Sequence, residues 1–437
     1  MTNRILLVNP PIYDFTAYDF WLKPYGMLRV AGMLRGQAEL ALFDYLDRNH
    51  PQANPAVLRR PDPWGRGDFE KQDVEKPPPL RDIPRRYRRF GIDRTHFRDF
   101  LQNSAPFDYA FVQTVMTYWY PGVREVIEDL RTYAPRTKIV LGGVYATICH
   151  KHAQSLGADF VVGGLNLDPL WRWMNLEPDA AGLPFWEGYP GSASGTLKLA
   201  DGCPFRCTYC SVPRVYPKFE ARELDRSMRE LEFLISRGID NIVFYDDALL
   251  FRVKEILLPF LERARQLNAR INFHTPNALN ARFITPEIAG RMVQGGFKTF
   301  YLGFESSAFK WQKSTGGKVY SHEFTRAVES LCASGARREN ITAYLIAAHP
   351  HDDGQQLEDS MRFVNGHGVR VMLSEFSPIP GTPDGESCRP IADLDEPLNH
   401  NKTAFALRHL GEKRVETLKL LSHQLNRSLK SALPIRA

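Results

Sequence analysis

Short apolar segments alternate with longer segments of helical periodicity along most of this 437-residue chain, in two separate runs. Such alternation predicts parallel strands joined by crossover helices, because a tight hairpin joins only antiparallel strands. The first run therefore predicts an α/β domain with Rossmann-like layers. Its expected strands are 5–9, 40–44, 109–113, 138–141 and 159–162, and its clearest helices are about 26–35 and 122–133.

The second run begins near residue 195 and keeps a more regular rhythm. Six strand candidates and five helix candidates alternate there, which predicts a partial TIM barrel of the (β/α)6 type. Active sites of such barrels lie at the carboxyl ends of the strands. The expected strands are 196–200, 241–245, 271–275, 299–303, 342–346 and 371–376, with helices near 222–236, 253–267, 285–294, 320–334 and 354–366.

Changes in composition divide the chain into parts around these two runs. The Pro- and Arg-rich segment at about 50–100 lacks periodicity, so we expect a surface insertion in the first domain. The tail after the barrel is periodic, which predicts helices. The expected parts are a Rossmann-like domain at 1–165, a linker at 166–194, the partial barrel at 195–385 and a C-terminal helical extension at 386–437.

The composition is that of a folded chain, with 43% hydrophobic and 24% charged residues. No apolar run approaches the ~20 residues of a membrane span, and the apolar stretch near the N-terminus is too short for a signal peptide. We therefore expect no membrane association and a cytoplasmic location.

The net charge of +6 is too small to indicate a nucleic-acid partner by itself. Seven arginines and two aspartates lie between Arg81 and Arg98, so most of the excess falls there. This stretch is open to two interpretations. It could contact a phosphate-bearing substrate or a protein partner, or it could be an arginine-rich surface whose aliphatic side-chain stems pack on the protein. The second is favoured, which leaves nucleic acid as a less favoured partner.

Three of the six cysteines, Cys203, Cys207 and Cys210, lie together directly after the first expected barrel strand. A structural zinc site would need a fourth cysteine or histidine nearby, and the next histidine is His274. Three thiolates suit an iron–sulfur cubane better, because they leave one iron open to another ligand. A non-catalytic zinc-binding or scaffold protein is the alternative from another functional class.

The spacing Cys203-x-x-x-Cys207-x-Tyr209-Cys210 resembles the Cys-x-x-x-Cys-x-aromatic-Cys pattern of radical S-adenosylmethionine (SAM) enzymes. The resemblance implies a 4Fe-4S cluster on the three cysteines and SAM chelated to the open iron. One electron from the cluster then cleaves SAM to a 5′-deoxyadenosyl radical. It further implies a small-molecule substrate and an electron donor such as flavodoxin or ferredoxin.

The same resemblance suggests other site residues at the carboxyl ends of barrel strands. Asp246 and Asp247 end the second strand, where the family contacts the SAM amino group, and a solvated pair at the strand end is the less favoured alternative. Glu305 lies in a Gly-x-Glu-Ser run and is a candidate contact to ribose or methionine. Asn277 is a candidate hydrogen-bond donor to cofactor or substrate, with a turn role equally open. Two histidines of the loop after strand five, His349 and His351, are candidate proton donors, although a surface pair is the commoner outcome.

The first 164 residues resemble the cobalamin-binding domain that precedes the barrel in one radical SAM group. The similar stretches are 5–11, 113–117, 142–147 and 157–164. The Asp-x-His-x-x-Gly run that supplies an axial histidine in many cobalamin proteins is replaced by Asp44 to His50. Bound cobalamin and a domain that only covers the barrel mouth are therefore both open.

Cobalamin-assisted methylation or rearrangement of a small molecule is the expected function. The alternative within the family is a radical SAM enzyme without cobalamin that acts on RNA or a peptide. Methylthiotransferases of this family carry three more N-terminal cysteines for a second cluster, and only Cys149 is available here.

Overall fold

The first sheet consists of five parallel strands in the order β2-β1-β3-β4-β5. The computed structural model describes residues 2–54, 62–104, 106–352 and 354–431. Alternate side chains of β1 enter apolar cores on both faces of the sheet, which is why the strand reads as a continuous apolar run. The strands are β1 (Asn3–Asn9), β2 (Ala38–Asp44), β3 (Tyr109–Thr114), β4 (Lys138–Gly143) and β5 (Phe160–Val161), and the main helices are α1 (Tyr25–Gly32), α2 (Arg94–Asn103) and α3 (Tyr120–Tyr133).

The second run folds into six parallel barrel strands with helices between them, as the sequence predicts. Strands β6 to β8 form one sheet and β9 to β11 another, and a bridge between Phe273 and Phe297 lies between the two. The strands are β6 (Gly195–Leu197), β7 (Asn241–Phe244), β8 (Asn272–His274), β9 (Phe300–Glu305), β10 (Ile341–Ala347) and β11 (Arg370–Glu375). The helices are α4 (Leu224–Ser236), α5 (Leu257–Gln266), α6 (Pro286–Gln294), α7 (Ser321–Ala333) and α8 (Gln355–Gly366). The α/β class and the partial barrel are confirmed.

The Pro- and Arg-rich insertion has more structure than the sequence indicates. Ile12–Asp14, Lys71–Asp73 and Arg88–Phe90 pair as a small antiparallel sheet. Strands of three residues are too short to show an alternating pattern. Residues 55–61 of the expected insertion lie outside the described residues.

All seven arginines of the basic stretch have acidic partners within the chain. Arg89 is buried with Glu125, and its Nη2 lies 2.7 Å from the Glu125 Oε1. Arg85 reaches Glu412 and Glu416 on the C-terminal helix. The stretch therefore holds the first domain together and ties it to the tail.

Aromatic side chains from the first domain fill the amino-terminal part of the barrel interior. Trp21 is 1% exposed and stacks on His274, with the ring centroids 4.7 Å apart. Its indole donates to the Trp64 carbonyl at 2.7 Å, and the Arg66 guanidinium lies over the Trp21 ring. Trp64 and Arg66 belong to the expected surface insertion, and Trp21 precedes the first expected helix.

The C-terminal extension forms α9 (Lys402–Leu410) and α10 (Glu412–Ser431). Asn401 caps α9 and also donates to Asp14 of the first domain at 2.9 Å. Residues 432–437 of the expected extension lie outside the described part of the chain, and the domain boundaries drawn from the sequence stay a prediction. Among the described helices, none combines the length and apolar character needed to cross a bilayer.

Candidate active site

The three clustered cysteines lie on one loop after β6, which we call the cluster loop (203–210). A short antiparallel pair, Ala200–Asp201 with Glu220–Ala221, brackets this loop. Cys207 is buried, while Cys203 and Cys210 are partly exposed. Burial is the main cause that raises the pKa of Cys203 and Cys210, and the nearby charge of Cys207 raises both further. The fold therefore brings the three sulfur atoms within electrostatic reach of each other.

Lys318 is a cation beside these thiols that the sequence analysis did not single out. Its Nζ lies 3.1 Å from the Glu305 Oε1. Burial opposes its charge, but Glu305 and Cys207 outweigh burial and raise the pKa of Lys318. Burial raises the pKa of Cys207, and the Lys318 ammonium opposes part of that rise.

The turn before Lys318 explains how this cation reaches the cluster loop. Gly316 and Gly317 both have positive φ, 109° and 61°, which favours glycine. A Cβ atom on Gly316 would lie 3.3 Å from the Cys207 Cα, so the turn packs closely against the loop. The glycine pair predicts a turn, but the sequence alone does not place this turn beside the cysteines.

Glu305 ends β9 with φ of 69°, at a register shift between β9 and β10. A non-glycine residue with positive φ is uncommon, and such conformations cluster at functional sites. The irregular strand end orients the Glu305 carboxylate toward Lys318 and the thiols.

Tyr209 is the aromatic residue of the cluster loop. Its ring stacks on Trp311 with the centroids 5.9 Å apart and an angle of 17°. Burial raises the pKa of Tyr209 well above its ordinary value, and Glu305 raises it further. The aromatic position of the motif thus anchors the loop on its apolar side.

The carboxylates at the end of β7 are largely engaged by neighbouring groups of the chain. Asp246 is buried and accepts hydrogen bonds from the backbone N–H groups of Leu199 and Ala200, at 2.9 and 2.7 Å. Asp247 pairs with Lys198, with 3.5 Å between Oδ2 and Nζ. These contacts connect the β7 end to the entrance of the cluster loop.

Asn277 extends across the same strand end. Its Nδ2 donates to the carbonyls of Tyr245 and Asp246, at 3.0 and 3.2 Å. The SAM contacts expected of Asp246, Asp247 and Asn277 stay predictions, and in this structure their side chains shape the wall of the site.

The two candidate histidines differ in burial. His349 is 1% exposed, and its Nε2 lies 2.9 Å from Asp384. His351 is exposed, and its backbone N–H donates to the His349 ring. His349 lies behind the cluster loop, and the proposed proton-donor role of either residue stays a prediction.

The carboxyl ends of the first sheet face the cluster loop. The short helix Val144–Ile148, which follows β4, packs against Val212–Val215 directly after Cys210. A Cβ atom on Gly142 would be in ordinary van der Waals contact with Val162 at 3.8 Å, and one on Gly164 would have nothing within 4 Å. Backbone without side chains is therefore available at the edge of the first domain nearest the cysteines.

Two residues of the expected axial-ligand region are engaged elsewhere. Asp44 is buried and accepts from Asn9 and Tyr189. Burial raises the pKa of Asp44 to about 6. The partly buried His50 packs its ring against Phe43, with the centroids 5.3 Å apart.

Among the described residues, no three His, Cys, Asp or Glu side chains converge on a position for a single metal ion. In a 4Fe-4S cluster each thiolate binds a different iron, so the ligands need not converge on one ion.

Residues 197–364 match the family model of the radical SAM superfamily. The chain is 24% identical to an uncharacterised methyltransferase of Pyrococcus horikoshii over 206 residues, 46% of this chain and 42% of the relative. This chain thus spans less than half the length of that relative.

Two solved structures of the radical SAM methyltransferase TsrM from Kitasatospora setae have the same fold. One, with cobalamin and a [4Fe-4S] cluster bound, superposes with a TM-score of 0.66 over 99% of this chain and 100% of that chain, at 13% identity. The other, with tryptophan substrate and a SAM analogue, has a TM-score of 0.65 over 90% of this chain and 77% of that chain, at 15% identity. Residues 197–364 are therefore similar to the radical SAM superfamily, within a fold that this chain shares with a methyltransferase solved with cobalamin and a [4Fe-4S] cluster bound.

Proposed function

We propose that this protein binds a 4Fe-4S cluster through Cys203, Cys207 and Cys210 and cleaves SAM there to begin methylation of a small molecule. The observation that carries the proposal is the position of three cysteines on one loop after the first barrel strand, within electrostatic reach of one another. When bound, the cluster supplies the electron that breaks a carbon–sulfur bond of SAM.

The residues around the thiols fit an anionic cluster with a zwitterionic ligand. Lys318 is positioned to neutralise thiolate charge and to pair with a carboxylate. Glu305, held by Lys318, offers an acceptor for a hydroxyl or ammonium group. The Asp246 carboxylate instead fixes the backbone at Leu199 and Ala200, which sets the entrance of the cluster loop.

The first domain fits a corrinoid held through backbone contacts. Gly164 faces open space and Gly142 has only one neighbour, Val162, within 4 Å of a Cβ position, and small residues there let a flat ligand approach the main chain. Since His50 is packed against Phe43, we propose that a corrinoid binds here without an axial histidine from this region. When bound, it supplies a methyl carrier.

A small molecule is the proposed substrate class, as TsrM is described with tryptophan. The alternative substrate, RNA, receives no support from the basic stretch, because all seven of its arginines have acidic partners in the chain.

Anaerobic reconstitution with iron and sulfide tests the proposal. The wild-type protein should gain the absorbance and reduced-state electron paramagnetic resonance (EPR) signal of a 4Fe-4S cluster and cleave SAM with dithionite. Cys207→Ser should lose both, whereas Cys332→Ser, on α7, should retain them. Fully loaded wild-type protein that leaves SAM intact, or protein isolated with zinc and silent in EPR, would contradict the proposal.

A further inference from the structure

Thr208, between two of the motif cysteines, is held by a separate part of the chain. Its hydroxyl donates to the Asp384 Oδ2 at 2.6 Å. The backbone N–H of Asp384 donates to the Thr208 carbonyl at 3.2 Å, and the Thr208 N–H donates to the Thr315 carbonyl at 3.3 Å. The centre of the cluster loop is therefore fixed through its side chain and both of its backbone polar groups.

Asp384 is itself fixed in place. It lies 7% exposed in the short helix Pro383–Ser387, after the last barrel strand, and Thr382 caps this helix by accepting from the Gly385 N–H. The Oδ2 atom that binds Thr208 also lies 2.9 Å from the Nε2 of His349. One carboxylate oxygen thus joins the cluster loop to the loop after β10.

The contacts of the His349 ring determine its tautomer. A carboxylate only accepts, so Nε2 carries the proton that it donates to Asp384. Nδ1 accepts from the Trp311 indole at 3.4 Å and from the His351 N–H at 3.3 Å. The ring makes edge contacts with Trp311 and Phe376, so its orientation is set on several sides.

We propose that His349 and Asp384 are positioning residues that hold Thr208 and thereby preorganise Cys207 and Cys210 for the cluster. The proposal rests on the proposed function of the cluster loop. Groups that orient metal ligands typically change metal affinity or activity by about 10- to 100-fold when removed. The Asp384 carboxylate, which is hydrogen-bonded to Thr208, also places a negative charge near the proposed cluster. Negative charge there disfavours the reduced state of the cluster.

Three variants, together with one rescue variant and one control, separate the positioning of the loop from the effect of charge. Thr208→Val removes the hydroxyl at constant shape, and His349→Ala removes the donor to Asp384. Asp384→Asn keeps an acceptor for Thr208 and removes the charge. His349→Gln restores a side-chain N–H donor, and His423→Ala, exposed on α10, is the control.

The readouts are iron and sulfide content, the rate of iron loss to a chelator, and the midpoint potential of the cluster. We expect Thr208→Val and His349→Ala to lose iron about 10-fold faster than wild type, and His349→Gln to recover part of the difference. Asp384→Asn should shift the midpoint potential to a more positive value. Circular dichroism identifies any variant that fails to fold.

Wild-type rates of iron loss and an unchanged potential in all the folded variants would overturn the proposal. In that case a wild type that loads iron and cleaves SAM would leave the proposed function intact. A wild type that never loads a cluster would refute the proposed function itself.

Discussion

At the scale of single residues, the structure adds the orientation of the Asp246 carboxylate to what the sequence indicates. Two consecutive aspartates at a strand end indicate polar chemistry, and the sequence does not specify which way each carboxylate turns. In the structure, Asp246 accepts two backbone hydrogen bonds at the start of the cluster loop. Asp246 therefore helps to set the shape of the cluster loop.

Asp246 should make stability depend on pH. Burial raises the pKa of Asp246 from 3.8 to about 7, so the folded chain retains a proton that the unfolded chain has released. The free energy of unfolding contributed by this group is therefore greatest at low pH and falls as pH rises from about 4 to about 7. Asp246→Asn should flatten that slope in chemical denaturation.

The control for this pH series is Asp99→Asn, which removes an exposed carboxylate on α2. It should keep the wild-type slope. An undiminished slope in a folded Asp246→Asn variant would contradict the assignment.

Arg89 and Arg85 should differ sharply in their importance for stability. Arg89→Ala leaves the Glu125 carboxylate buried and without its cation, and removing one partner of a buried pair costs about 3–5 kcal/mol. Arg85→Ala removes partly exposed ion pairs, which are worth about 0–1 kcal/mol each. Denaturation midpoints of the two variants measure the difference, and equal losses would contradict it.

At the scale of elements, the long buried strands and their crossover helices could be predicted because period and length agree along each segment. The barrel strands β9 and β10, for example, follow expectations from 299–303 and 342–346 to within a few residues. The three-residue strands of the insertion could not be predicted, since their pairing depends on partners far apart in sequence.

The start of α9 should matter more than an ordinary helix start. Asn401 accepts from Thr403 and Ala404 and also donates to buried Asp14. Asn401→Ala loses a cap worth about 1 kcal/mol and a hydrogen bond to a buried carboxylate worth about 1–3 kcal/mol. Thermal unfolding should show a larger drop than for Thr285→Ala, which removes only a cap at α6. A drop no larger than that of the control would contradict the coupling.

At the scale of the whole molecule, the site is built from distant parts of the chain. The cysteines could be found from sequence because all three share one loop. Lys318 and Asp384 could not, since each lies more than 100 residues beyond the cysteines in the 437-residue chain and reaches them only through barrel closure. Composition and periodicity do not indicate which distant residues come together in the folded chain.

The proposed corrinoid site can be tested by filling its space. Gly142→Val adds a side chain where the nearest atom to a Cβ lies 3.8 Å away, at a φ that any residue adopts. We expect normal folding and iron loading with at least 10-fold weaker uptake of hydroxocobalamin, measured by absorbance after gel filtration. Gly191→Val, in the linker, is the control and should bind as the wild type does. Unchanged uptake in Gly142→Val would place the corrinoid elsewhere.

The stacked rings of Trp21 and His274 bear on how ligands enter and leave the barrel. Because aromatic side chains fill the barrel interior around these rings, we expect ligands of the proposed cluster to enter from the side of the cluster loop. Under the proposed function, the nucleoside formed from SAM would leave by that same side, so its release would have to precede the binding of the next SAM.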